Sequence, residues 1–149
     1  MRSGMNQMRN LQNLLVKYDR VAIDSAIFVY FLENVAEFGD LVNPLFTSIS
    51  KGSTQGITSI ISLLELLSSP KLTPSIVREL KESFKKLPNL KVFPVDEDIA
   101  LQAAEIRRKY GFKTPDAIQL ATAKIARAKA FITNDKKLLP FKALKIIIL

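Results

Sequence analysis

Apolar residues in this chain fall into two kinds of stretch that alternate along its length. Short continuous runs read as buried strands, and longer segments with apolar residues three and four apart read as helices. Val21-Ala22-Ile23-Asp24 is a strand ending on an acid, and Ser25–Glu33 follows as a helix with Asp24 or Ser25 as its cap. Asp40–Ser50 is a second helix, weakened or kinked near Pro44 and closed by Lys51-Gly52. Gln55–Ser59 is a strand and Ile60–Ser68 a helix that Pro70 stops. Thr73-Pro74 opens a helix to Lys86, with the threonine as cap and the proline in the first turn. Leu90–Pro94 is a strand, and Asp96 caps a helix over Glu97–Tyr110 that Gly111 closes. Thr114-Pro115 starts a helix to about Arg127, Ala130–Thr133 is a strand, Asn134–Leu139 a turn with a helical start, and Leu144–Leu149 a last strand.

Strands alternating with helices indicate an α/β domain, here three layers with a mainly parallel sheet of four to five strands. The sequence shows no repeat, low-complexity tract or linker, so residues 20–149 read as one domain. Residues 1–19 read as a polar leader, with room for a short helix at Leu11–Tyr18. The longest apolar runs, Ala26–Leu32 and Ile146–Leu149, are far shorter than the ~20 residues of a spanning helix. Arg2 and Arg9 precede no apolar core of a signal peptide. The expectation is a cytoplasmic protein with no membrane partner.

Composition narrows the chemistry. Among 149 residues there is no cysteine and no histidine, which excludes a disulfide scaffold, a zinc finger, a cysteine nucleophile and a Ser–His–Asp triad. Lys and Arg number 22 against 14 Asp and Glu, a net charge of +8. That excess suits a polyanionic partner such as nucleic acid, an anionic membrane surface or an acidic protein, and equally a scattered surface charge. No Gly-rich phosphate loop is present.

In an open parallel sheet, functional groups gather beyond the carboxyl ends of the strands. Asp24 ends the first strand there and Asp135 follows the fourth. Asp116 begins the helix that feeds the fourth strand, and Glu65 lies about two turns into the helix leaving the second. Taken singly, Asp24, Asp116 and Asp135 read as helix caps or turn residues. Glu65, flanked by Leu63, Leu64, Leu66 and Leu67, reads as a carboxylate in apolar surroundings that needs a partner, either a lysine or a metal. Four converging acids would repel one another, and a divalent cation removes that penalty. With only hard oxygen ligands on offer, the cation would be Mg²⁺ or Mn²⁺ rather than Zn²⁺.

Four segments together resemble the PIN-domain family, in particular the VapC-type toxins of toxin–antitoxin pairs. They are Ile23–Tyr30, Thr58-Ser59 leading to Leu64–Leu67, Thr114–Ala123, and Phe131–Leu138. The resemblance implies an endoribonuclease that uses Mg²⁺ or Mn²⁺ to hydrolyse RNA phosphodiester bonds through metal-activated water, leaving a 5′-phosphate and a 3′-hydroxyl. By position it assigns Asp24, Glu65, Asp116 and Asp135 as the acidic quartet, with Thr133 and then Ser25 as polar supports. It also implies a homodimer and a small DNA-binding antitoxin as partners; Phe28, Phe31 and Phe38 on the early helices are candidates for that interface, with packing in the core the favoured role for most of them. Lys113, Lys136 and Lys137 are candidates for gripping RNA phosphates. The competing readings are a non-catalytic PIN-like module that binds RNA or protein, and a receiver-like phosphotransfer domain. The latter would need a second acid beside Asp24, which Ser25-Ala26 does not supply.

Overall fold

The structure is a computed structural model, and it describes residues 11, 13, 15 and 17–149. Most of the expected leader lies outside the described residues. Leu11 and Leu15, which are described, are helical and buried.

Five strands form one sheet: β1 (Arg20–Ile23), β2 (Gln55–Ser59), β3 (Leu90–Phe93), β4 (Ala130–Thr133) and β5 (Lys145–Ile148). The order is β3-β2-β1-β4-β5 and every pairing is parallel. The helices are α1 (Ser25–Leu32), α2 (Gly39–Ser50), α3 (Ile61–Leu66), α4 (Pro74–Lys85), α5 (Glu97–Tyr110) and α6 (Thr114–Ile125). A single 3₁₀ turn spans Lys136–Leu138.

Strand side chains alternate between the two faces, and this alternation divides the core. Val21, Ile23, Ala130, Ile132 and Ile147 face one way and pack with Ile27 and Phe28 of α1, Leu45 and Phe46 of α2, and Leu80 and Phe84 of α4. Ala22, Ile57, Phe131 and Ile146 face the other way, onto Ile99, Ala103 and Ile106 of α5 and Ala117, Leu120 and Ala121 of α6. Both faces of the sheet are therefore covered by helices, as a parallel sheet requires.

The capping signals act as the sequence indicates. The Thr73 hydroxyl accepts from the Ile76 N–H, and Asp96 accepts from the Ile99 N–H. Gly111 takes φ +73° to end α5, a conformation that only glycine adopts freely. α2 runs on through Pro44 to Ser50. The helix expected over Ile60–Ser68 is shorter, Ile61–Leu66, and the one expected to reach Arg127 ends at Ile125. Phe28 is wholly buried, in edge-to-face contact with Phe46 and Phe84, so it belongs to the core and not to an interface. Phe31 stacks on Phe46 and Phe38 on Tyr30.

The chain lays β1, β2 and β3 outward in one direction, then returns to place β4 and β5 on the other side of β1. The order reverses between β1 and β4. Their carboxyl ends flank the crevice where such sheets carry their sites.

Candidate active site

Asp24 follows β1 directly and caps α1. The residue is 9% exposed. The Ser25 N–H donates to Oδ1 at 2.8 Å, and the Thr133 hydroxyl, at the end of neighbouring β4, donates to Oδ2 at 2.6 Å. The parallel register that pairs Ile23 with Ile132 brings those two strand ends side by side. Both Asp24 oxygens are thus fixed, one by the first N–H of α1 and the other by the hydroxyl that ends β4, at the reversal point. Even so, burial pushes the Asp24 carboxyl up to about 6, and the charges of Asp116 and Glu65 add to that rise.

Asp116 and Glu65 act on Asp24 from separate elements, and Asp135 acts on Asp116. Asp116 is in the first turn of α6, where the helix N-terminus tolerates an acid. Its carboxyl is also raised, first by burial and then by the charges of Asp135 and Glu65, while Lys113 and Lys137 pull it down. Asp135 accepts from the Lys137 N–H and caps the 3₁₀ turn, and its own N–H donates to the Thr133 hydroxyl. Glu65 accepts from the Ser25 hydroxyl at 2.8 Å.

Glu65 corrects one expectation. Its leucine neighbours in sequence do not bury it: Leu66 points into the core, whereas Glu65 and Leu64 are exposed. A helix turns about 100° per residue, so flanking residues do not share a face. Its partner is a serine hydroxyl rather than a lysine. Among the described residues, the ion pair that forms joins Lys129 to Asp19 at 2.8 Å, away from these acids. Among the candidate phosphate grips, Lys113 and Lys137 are near enough to act on Asp116, while Lys136 is simply exposed.

Sequence reasoning does not single out the polar residues behind the acids. Gln119 is buried on α6 and hydrogen-bonds Ser25, Ser62 and the Ser59 N–H. Thr58 and Ser62 continue that set inward. The one signal for it is Gln119 as a lone amide among Ile118, Leu120 and Ala121, one helical turn beyond Asp116. At the rim, the Asn134 amide donates to the Tyr30 hydroxyl, and the Tyr30 phenol is raised by burial and by the Asp24 charge.

The cleft therefore holds an excess of negative charge whose members act on one another through Asp24 and Asp116. Its oxygen-only donor set matches a hard divalent cation. Among the described residues no three of the carboxylates already stand close enough to grip one ion. Internal donors engage Asp24, Glu65 and Asp135, and mutual repulsion opposes their closer approach.

No curated protein matches the chain in sequence. Its fold is similar to that of several solved structures. One is VapBC2 from Rickettsia felis bound to a DNA fragment from their promoter, with 17% identity, a TM-score of 0.68, and 87% of this chain and 98% of that chain covered. DNA-bound VapBC from Salmonella typhimurium gives 17%, 0.66, 87% and 97% on the same measures. FitAcB from Neisseria gonorrhoeae gives 20%, 0.63, 85% and 96%. At such identities the likeness is one of fold. The PIN domain profile matches residues 21–145, more than four-fifths of the sequence and all four acids. The chain belongs to the PIN-domain family.

Proposed function

We propose that this protein is a VapC-type endoribonuclease that needs Mg²⁺ or Mn²⁺. The observation that carries the reading is Asp24: a buried carboxyl at the strand-order reversal, held up at about 6 by burial and by two neighbouring acids, with no cationic side chain paired to it among the described residues. A cation is the partner that such a site lacks.

Asp24, Asp116 and Asp135 would hold the ion, with Glu65 binding directly or through water. Bound there, it supplies Lewis-acid stabilisation of charge on a phosphate and an ionisable water. The chain does the positioning. Thr133, at the end of β4, and the Ser25 N–H, at the start of α1, keep the Asp24 carboxylate aimed. Thr133 also links the Asp135 backbone to Asp24, since its hydroxyl accepts from the Asp135 N–H and donates to the carboxylate. Lys113 and Lys137, which already act on Asp116, suit an entering phosphodiester. The net charge of +8 supports attraction of a polynucleotide over the whole surface.

The toxin role is supported by fold neighbours that include a toxin–antitoxin complex from Klebsiella pneumoniae and a member of the VapBC family of toxin–antitoxin systems from Mycobacterium tuberculosis. A small DNA-binding antitoxin and a second copy of this chain are the partners proposed with it. No helix among the described residues is long and apolar enough to cross a membrane.

The direct test is incubation of the purified protein with single-stranded RNA. Cleavage is expected with Mg²⁺ or Mn²⁺, loss of cleavage with a chelator, and recovery when the ion is restored. Metal affinity without cleavage would replace the enzyme reading with a binding module, and absence of both would end the metal reading.

The lysines carry a second expectation. Lys113→Ala combined with Lys137→Ala weakens RNA binding uniformly across sequences. It also lowers the slope of log affinity against log salt by up to about 1.4, at about 0.7 for each single-strand phosphate that a lysine no longer neutralises. Binding measured across a salt series checks this. An unchanged slope would place the phosphate grip elsewhere.

A further inference from the structure

We infer that Gln119 is a positioning residue for this site, orienting the Ser25 hydroxyl so that it holds Glu65. The inference rests on the reading of the four acids as a metal-dependent nuclease centre.

The hydrogen-bond directions follow from the partners. The Ser59 N–H can only donate, so it assigns the facing Gln119 atom as Oε1, at 3.3 Å. That places Nε2 against two hydroxyls, Ser25 Oγ at 3.0 Å and Ser62 Oγ at 2.8 Å, and Nε2 can only donate to them. Ser25 Oγ therefore accepts from Gln119 and keeps its own hydrogen for Glu65 Oε1 at 2.8 Å. The other branch is equally directed. The Thr58 hydroxyl donates to the Ile23 carbonyl at 2.8 Å, so in the 2.6 Å contact between Ser62 and Thr58 the donor is Ser62. One amide thus sets the direction of a chain from α6 to α1 to α3, and of a second chain that ends on the residue before Asp24.

Gln119, Ser25, Ser59, Ser62 and Thr58 are all buried, whereas Glu65 lies exposed on a helix of six residues. Glu65 has a long side chain with three rotatable bonds. Its one hydrogen-bonded hold among the described residues is Ser25, which leaves Oε2 free for the cleft. A residue that supports a ligand in this way acts on metal affinity without touching the metal.

The test compares Gln119→Leu, Ser25→Ala and the double variant with the parent protein. Two readouts are taken: Mn²⁺ affinity by titration calorimetry with the metal alone, and the side-chain carboxyl ¹³C resonance of Glu65 without metal. The resonance is assigned by its loss in Glu65→Gln. Gln119→Leu is expected to weaken Mn²⁺ binding by roughly ten- to a hundredfold, and to move the Glu65 resonance toward that seen in Ser25→Ala, where the hydroxyl hold is gone. In the Ser25→Ala background the same substitution should add no further loss, because its effect passes through that hydroxyl. An unmoved resonance, or losses that add in the double variant, overturns the assignment. Should Gln119→Leu fail to fold, Gln119→Met removes the amide at nearly the same side-chain length, adds no charge, and is read in the same way. If the parent binds no Mn²⁺, the nuclease reading fails, and the Glu65 resonance alone decides whether Gln119 orients Ser25.

Discussion

Asp116→Asn is expected to lower RNA cleavage by at least roughly a hundredfold, the scale on which single electrostatic groups act at a transition state, while leaving the fold intact. The substitution is nearly isosteric and partly exposed, at the first turn of α6. It removes one charge from a cluster in which Asp135 and Glu65 already oppose ionisation of Asp116. Thermal stability should therefore hold or rise slightly, and the circular dichroism spectrum should match the parent. The loss belongs to the site because Lys113 and Lys137, which also act on Asp116, remain in place. Cleavage kinetics beside a melting curve check this. Parent-like cleavage by the purified variant would remove Asp116 from the machinery and with it the quartet assignment.

Asp24→Asn separates function from stability more sharply. A rise of the folded carboxyl from 3.8 to about 6 corresponds to an upper bound of about 3 kcal/mol of native stability lost at neutral pH. The sign follows from linkage. The folded state holds its proton more tightly than the unfolded chain, so this contribution is fully present below about pH 3.8, is lost as pH rises through about 6, and stays lost above it. Without divalent ions at pH 7.5, Asp24→Asn should therefore melt higher than the parent, by up to roughly 6–12 °C for a domain of this size. The amide can still accept from the Ser25 N–H and can donate to Thr133, so both anchors survive in altered form. Added Mn²⁺ should stabilise the parent and not the variant. In the parent, Mn²⁺ affinity should fall as pH drops below about 6, because the ligand must be ionised. A variant that melts lower than the parent without metal would show that the Asp24 charge is already compensated inside the protein.

The two expectations together describe a trade between stability and activity. A site that gathers uncompensated acids weakens its own scaffold, and substitutions that relieve the repulsion stabilise the protein while abolishing its chemistry. The scaffold tolerates this because two well-packed apolar faces support one five-stranded sheet.

Much of this architecture is legible along the chain. β2 over Gln55–Ser59, β4 over Ala130–Thr133 and α5 over Glu97–Tyr110 coincide with the segments that the residue pattern predicts. Their signals are local: a short apolar run, a Thr or Asp cap, a closing glycine. α3 is less legible. Its apolar run continues past Leu66, but the helix ends there with Leu67 as its cap. Glu65 misleads for the same kind of reason, since sequence neighbours on a helix describe its whole circumference and not one face. Gln119 goes unnoticed in the sequence because one polar residue in an apolar helix carries no message until its partners are known.

By itself the sequence determined that this is an alternating α/β domain without cysteine or histidine chemistry, and that Asp24, Asp116 and Asp135 each sit at an end of a strand or helix. Those features depend on residue type and short-range spacing. Only the tertiary structure decided that β1 lies between β2 and β4, and hence that Thr133 reaches Asp24, Ser25 reaches Glu65 and Gln119 reaches Ser25. Those hydrogen bonds span 40 to 109 positions along the chain. They exist because β1 is central, with β2 on one side and β4 on the other where the strand order reverses, which no local run of residues can specify.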